Sequence, residues 1–217
     1  MVRVTARTGR VELIGVAGAE VEVDGGTTTI GDDGGYDITS RTDTVRVTCP
    51  ENAVVVVSTT TGAVRLRGHV ADVRVITNTG KVEIERAIDV DVRTTTGAVA
   101  VGCCVHSCRV VTTSGKVVVD EADTVEVSTA SARVRVGTAH TAQLHTLSGN
   151  VEVGGSAWSR LSAHTVSGNI DLQVPSGTAA TMHLATRSGR VEREVPEGEG
   201  ATVHAVSGSG NIRVGRR

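Results

Sequence analysis

The pattern Ser/Thr-Gly-x-Val/Ile occurs nine times in this chain, with its glycine at Gly9, Gly62, Gly80, Gly97, Gly115, Gly149, Gly168, Gly189 and Gly210. From Gly62 onward the steps are 18, 17, 18, 34, 19, 21 and 21 residues. The long step hides one degenerate copy, Ser131-Ala132-Arg133-Val134, with alanine in the glycine slot. The interval before Gly62 has room for two more, one at Thr42-Asp43-Thr44-Val45 and a poorer one around Gly25-Gly26. About eleven copies of 17–21 residues result, a period at which each unit buries its apolar face against its neighbours in a repeat architecture.

Inside each copy the residues alternate. Val90, Val92, Thr94 and Thr96 share one parity, Asp91, Arg93 and Thr95 the other, and Val99 and Val101 follow Gly97. The same columns return as Val125, Val127, Thr129 and Ser131, and as Leu161, Ala163, Thr165 and Ser167. Period two with β-branched residues marks a strand with one buried face. No stretch holds a 3.6-residue period, so almost no helix is expected. Two short strands per copy stack most simply as rungs, each pairing in parallel with its copies above and below.

Composition fits a thin core. There is no Phe, one Tyr (Tyr36) and one Trp (Trp158), so the interior must be filled by Val, Ile, Leu, Ala and Thr. The tetrad glycine is placed at a corner, where positive φ or close backbone approach is needed. Pro50-Glu51-Asn52-Ala53, Pro175-Ser176-Gly177-Thr178 and Pro196-Glu197-Gly198-Glu199 each follow an alternating run and read as turns between rungs. The expectation is an all-β chain, a single parallel β-solenoid domain over 1–217 with about eleven rungs. Residues 1–44 are degenerate rungs or a cap, and 45–217 are regular repeats. Val64, Val82, Val99, Val117, Val151 and Ile170 are expected to point inward.

Several functions are excluded. A net charge of −2 provides no basic field for nucleic acid. No run of 18 apolar residues spans a membrane, and the N-terminus has no signal-type apolar segment, so the expected location is the cytoplasm. The four cysteines, Cys49, Cys103, Cys104 and Cys108, form no spaced disulfide framework.

Thr146-Leu147-Ser148-Gly149-Asn150-Val151 and Thr165-Val166-Ser167-Gly168-Asn169-Ile170 carry a resemblance. With Val-Pro-x-Gly entering a strand, the repeat resembles the bacterial β-strand-repeat family labelled "putative adhesin", a domain of unknown function, most firmly over residues 45–217. The resemblance implies a β-solenoid linked to the cell envelope. It carries over no catalytic residues.

Each candidate site has a plain structural counterpart. The pairs Thr59/Thr61, Thr77/Thr79, Thr94/Thr96, Thr112/Ser114, Thr129/Ser131, Thr146/Ser148, Thr165/Ser167 and Thr186/Ser188 continue the valine column. They are expected inward near the corner, as a hydroxyl ladder satisfying backbone groups rather than an ice-binding face. Cys103, Cys104, His106 and Cys108 are the one dense set of soft ligands, but adjacent cysteines on a strand face opposite ways. Cys103 and Cys108 are expected to be small buried hydrophobes. His145 and His164 lie four before their glycine with outward parity, His204 joins them if Gly208 is the corner, and His183 is out of line. This column reads as a solvated face or as metal ligands. No nucleophile elbow or phosphate loop occurs, so neither an enzyme nor a cofactor is expected. Two readings remain. One is a scaffold that binds a protein or envelope component, with His145, Trp158 and His164 as the preferred patch. The other is a bactofilin-like protein self-associating through open ends, with an N-terminal cap and Arg213, Arg216 and Arg217 guarding the far end.

Overall fold

The computed structural model describes residues 1–32, 34–41, 43–154, 159–174, 179–196, 198 and 200–216. Trp158, the Pro175–Thr178 turn, Arg217 and parts of two repeat copies fall outside that set. Among the described residues every regular element is a strand. None forms a helix long and apolar enough to cross a membrane, which leaves β-barrels unaddressed. The chain divides into two compact units, Met1–His106 and Ser107–Arg217.

Unit 1 contains β1 (Val2–Thr8), β2 (Val11–Val16), β3 (Glu22–Asp24), β4 (Thr27–Ile30), β5 (Tyr36–Ser40), β6 (Val45–Pro50), β7 (Val54–Thr61), β8 (Val64–Thr79) and the beginning of β9 (Val82–Ser148). Parity decides its core. Ile38, Val4, Val57, Val75 and Val92 align across adjacent parallel strands and are all buried. A second wall stacks Val47, Leu13, Leu66 and Ile84 in the same way. Each rung adds one aliphatic side chain per column, so the interior has no room for an aromatic ring. Val64, Val82 and Val99 are buried as expected.

The stacking order departs from the order along the chain. β1 pairs with β5 on one side and β7 on the other, while β2 lies between β6 and β8. The first coil is therefore second in the stack, inserted between the coils of residues 36–50 and 54–68. The segment between β2 and β5 supplies β3 and β4, which pair antiparallel to β6 and β5. The sheet is thus mixed rather than strictly parallel. These two strands cover the edge of β5 and β6, an edge that would otherwise invite pairing.

Unit 2 contains the remainder of β9, then β10 (Val151–Val153), β11 (Arg160–Ser167), β12 (Ile170–Val174), β13 (Ala180–Ser188), β14 (Val191–Arg193), β15 (Ala201–Ser209) and β16 (Ile212–Arg216). Insertion recurs here. β15 pairs with β11 and β13, and β16 pairs with β12 and β14, so the last coil lies inside the preceding one. Arg213 and Arg216, expected to guard the end, sit one strand inside it. The outermost strand, β14, is exposed throughout. Its Arg193 is in register with Val214, Leu172, Val153 and Val136, at a core position, yet is exposed. An exposed charge at the outer end of the core column discourages a further strand from adding there. Val117, Val151 and Ile170 are buried, as expected.

Corners explain the tetrad. A Cβ added to Gly62 would stand 2.2 Å from the Gly9 carbonyl oxygen and 2.9 Å from Thr59 Oγ1. At Gly168 it would meet the Gly149 carbonyl oxygen at 2.1 Å, and φ is +153°. Backbones therefore touch where Gly stacks on Gly, a distance no side chain permits. The threonine pairs split at this corner. Thr59, Thr77, Thr94, Thr112, Thr129, Thr146 and Thr165 are buried, but Thr61, Thr96, Ser131, Ser148, Ser167 and Ser188 are exposed. The chain turns between the two members, so the expectation that both face inward holds only for the first.

Candidate functional site

The outward face of β9, β11, β15 and β13 in unit 2 carries the densest set of non-charged side chains with binding chemistry. His145 and His164 are directly opposite in the β9–β11 register. Their ring centroids are 6.1 Å apart, tilted by 51°. Two residues further along, Leu147 is 61% and Val166 51% exposed. These are the middle residues of Thr-x-Ser, held outward by the buried Thr146 and Thr165 beside them. Val111, Thr113, Ser128 and Ala130 join them around a shallow depression of about 430 Å³. A second depression of about 380 Å³ shares His164 and Val166 and extends to Ala185, Arg187, Val206 and Gly208. The result is a flat apolar furrow edged by imidazoles and hydroxyls.

His204 does not align with His145 and His164. It is opposite Ser162 on β11 and His183 on β13, because the corner is Gly210 and not Gly208. His183 and His204 therefore pair with each other, with centroids 6.3 Å apart and rings tilted by 46°. All four imidazoles are exposed. The structure thus brings together two of the three residues of the preferred patch, while Trp158 lies outside the described residues. The apolar middle positions, Ala130, Leu147 and Val166, are the part the histidine argument missed. Their signal was one apolar x residue in consecutive tetrads.

The cysteine segment resolves differently from its parity. Cys104 is buried and donates its thiol to the Ile88 carbonyl at 3.3 Å, whereas Cys103 is only half-buried. Gly102 is the cause: its backbone packs so close that a Cβ would stand 2.6 Å from the Glu85 carbonyl oxygen, and the chain turns there. The turn shifts the alternation by one, so Cys103 is not the buried member. Cys108 is buried, as expected. Burial also pushes the Cys49 thiol pKa up, which disfavours the reactive thiolate. His106 faces Asp89 at 3.9 Å. Among the described residues no three His, Cys, Asp or Glu side chains gather around one point.

Carboxylates on outward columns are set between cations. In unit 1 Arg46 bonds Glu12 at 3.0 Å and Arg65 bonds Glu83 at 2.6 Å. The Arg46 hydrogen bond holds the Glu12 carboxyl below the usual carboxylate range. Lys81, then Arg65, does the same for Glu83. In unit 2 Glu152 and Asp171 are adjacent in register and line a recess of about 100 Å³ with Arg135, while Arg213 is in register with Asp171 on the next strand.

The hydroxyl ladder satisfies less than expected. Thr112 donates to the Ser114 carbonyl at 3.1 Å and Ser207 to the Gly168 carbonyl at 3.1 Å. Thr59, Thr77, Thr94, Thr146 and Thr165 bury hydroxyls with no hydrogen-bond partner. The methyl half of each threonine fills the column, and the hydroxyl occupies the gap that the corner glycine leaves.

Sequence comparison places this repeat. The pattern of the family described as Toastrack DUF4097 matches residues 18–216, nearly the whole chain. The chain belongs to the Toastrack DUF4097 family. Toastrack is a solenoid-like β fold, and its function is unknown, in agreement with the resemblance to a domain of unknown function read from the tetrads. No curated protein matches the sequence. One solved structure similar to this Toastrack chain is that of a "putative cell adhesion protein" from Clostridium sporogenes. It is 10% identical, with 100% of this chain and 92% of that one covered and a TM-score of 0.20.

Proposed function

We propose that this chain is a non-enzymatic β-solenoid interaction module, adhesin-like in its use, that docks a partner protein on the outward furrow of unit 2. The observation that carries this reading is the adjacent exposure of Leu147 and Val166 in one depression with His145 and His164. Contiguous apolar surface on an otherwise polar face marks a contact site, and imidazoles at its edge supply directional hydrogen bonds. The stacked strands hold that face rigid, so docking requires little ordering. Among the described residues the charged columns, in which carboxylates alternate with arginines, supply no convergent acid, base and nucleophile, which supports binding over catalysis. The family resemblance directs the search for the partner to the cell envelope.

Bactofilin-like self-assembly is the alternative. The antiparallel cover of β3 and β4 and the exposed Arg193 in the outer core column weigh against it. Crosslinking from cell extract, comparing the parent with a Leu147→Lys, Val166→Lys variant, tests the docking reading. Loss of a specific crosslinked protein supports it. An unchanged crosslink pattern, or turnover of a substrate abolished by one outward substitution, overturns it.

A further inference from the structure

The imidazoles of unit 2 do more than edge the furrow. Four of the seven histidines lie on four adjacent strands, arranged as two directly opposed pairs. His145 faces His164, and His204 faces His183. The inserted β15 sets the second pair diagonal to the first, since Ser162, not His164, opposes His204. The rungs place opposed residues one strand spacing apart, and all four rings project into solvent. Imidazole nitrogens hold first-row divalent ions at about 2.0–2.1 Å, so the centroids of two rings sharing one ion stand roughly 4.5 Å apart when the two bonds meet at a right angle and roughly 6.4 Å apart when they are opposed. The observed separations of 6.1 and 6.3 Å are within a small χ rotation of that geometry. The tilts of 51° and 46° keep the rings out of face-to-face stacking, which lets a nitrogen of each turn toward a common point.

We infer that His145–His164 and His204–His183 are two bis-imidazole sites for a divalent transition metal, each completed by water. Two nitrogens with open oxygen positions suit the tetragonal preference of copper(II), which also has the greatest affinity of its row for such donors. No carboxylate or thiolate belongs to either pair, so magnesium and calcium, which demand oxygen ligands, are excluded from them. The inference is independent of the docking reading, because metal uptake is measured on the purified chain with no partner present.

The test is equilibrium dialysis of the full, untagged chain against Cu²⁺, with electron paramagnetic resonance of the bound ion. The parent should retain two ions per chain with nitrogen coupling. His164→Ala and His204→Ala should each retain one, and the double variant none. His140→Ala should leave uptake unchanged, since His140 sits apart with its Nε2 3.1 Å from Ser159 Oγ. All four substitutions are at exposed positions, and His164→Gln, which keeps a polar side chain of similar reach, should lose the same ion as His164→Ala. Retention of both ions by either single variant, or of any nitrogen-coupled ion by the double variant, would overturn the assignment. So would a parent that retains a single ion lost in either single variant, or no uptake by the parent.

Discussion

Asn169 Oδ1 accepts the backbone N–H of Asn211 at 2.8 Å, across 42 residues of chain. The contact belongs to a ladder in which Asn150 Oδ1 accepts from Asn169 N–H and Asn211 Oδ1 accepts from Arg190 N–H. Each asparagine follows a corner glycine and supplies the acceptor that the sheet does not. The ladder runs 150, 169, 211, 190 and so records the insertion of the last coil. Deleting residues 201–217 should therefore cost two coils rather than one, because among the described residues β13 pairs only with β15 and β14 only with β16. Hydrogen exchange should show residues 180–193 unprotected in the truncated chain.

The corner glycines should be the least replaceable residues. Gly168→Ala would bring a Cβ to 2.1 Å from the Gly149 carbonyl oxygen at a φ of +153°, and a loss of more than about 2 kcal/mol is expected. Gly34→Asn, where a side chain meets nothing within 4 Å and φ is +72°, should change stability by less than about 1 kcal/mol. Urea titrations of the two variants check the contrast. Equal midpoints would refute the corner-contact account.

Buried threonines should divide by their hydrogen bonds. Thr165→Val removes a fully buried hydroxyl that has no partner, so a gain of about 1 kcal/mol is expected. Thr112→Val removes the donor to the Ser114 carbonyl, and a loss of about 1 kcal/mol is expected. Thermal midpoints should move in opposite directions.

Acid should erase one specific contribution. Lys81 and Arg65 lower the Glu83 pKa in the folded chain, so the stability this carboxylate provides is present above the unfolded carboxyl pKa of about 4.3 and disappears as pH falls through the lower folded value. Arg65→Gln should be less stable than the parent at neutral pH. The two should converge in strong acid. A constant difference across that range would show that Arg65 acts by packing alone.

The outer edge of unit 2 should become adhesive when its charge is removed. Arg193→Val would continue the column of Val214, Leu172 and Val153 out to an exposed strand. Analytical ultracentrifugation should then report dimers or larger species at concentrations where the parent sediments as one chain. An unchanged sedimentation profile would mean that Arg193 is not what guards this edge.

Alternation and the glycine period suffice to place Val99, Val151 and Ile170 inside and to predict stacked rungs. They cannot order the rungs, because every copy presents the same columns and any coil fits beside any other. The order is read only from backbone partners such as Asn211 and Arg190. Parity also fails where a corner absorbs one residue, as at Gly102 before Cys104. The furrow was half visible for the same reason. Opposed histidines follow from register, but the prominence of Leu147 and Val166 depends on the chain turning just beyond the buried threonine.

Insertion of the last coil also has a consequence in time. A chain emerging from the ribosome presents β13 and β14 before β15 and β16 exist, and domains generally begin to fold from the N-terminal side during synthesis. The slot against β11 and β12 must stay vacant until residues 201–216 arrive. Completion of this end therefore waits on synthesis of residues 201–216, and a stop before them would leave β13 and β14 without their partner strands.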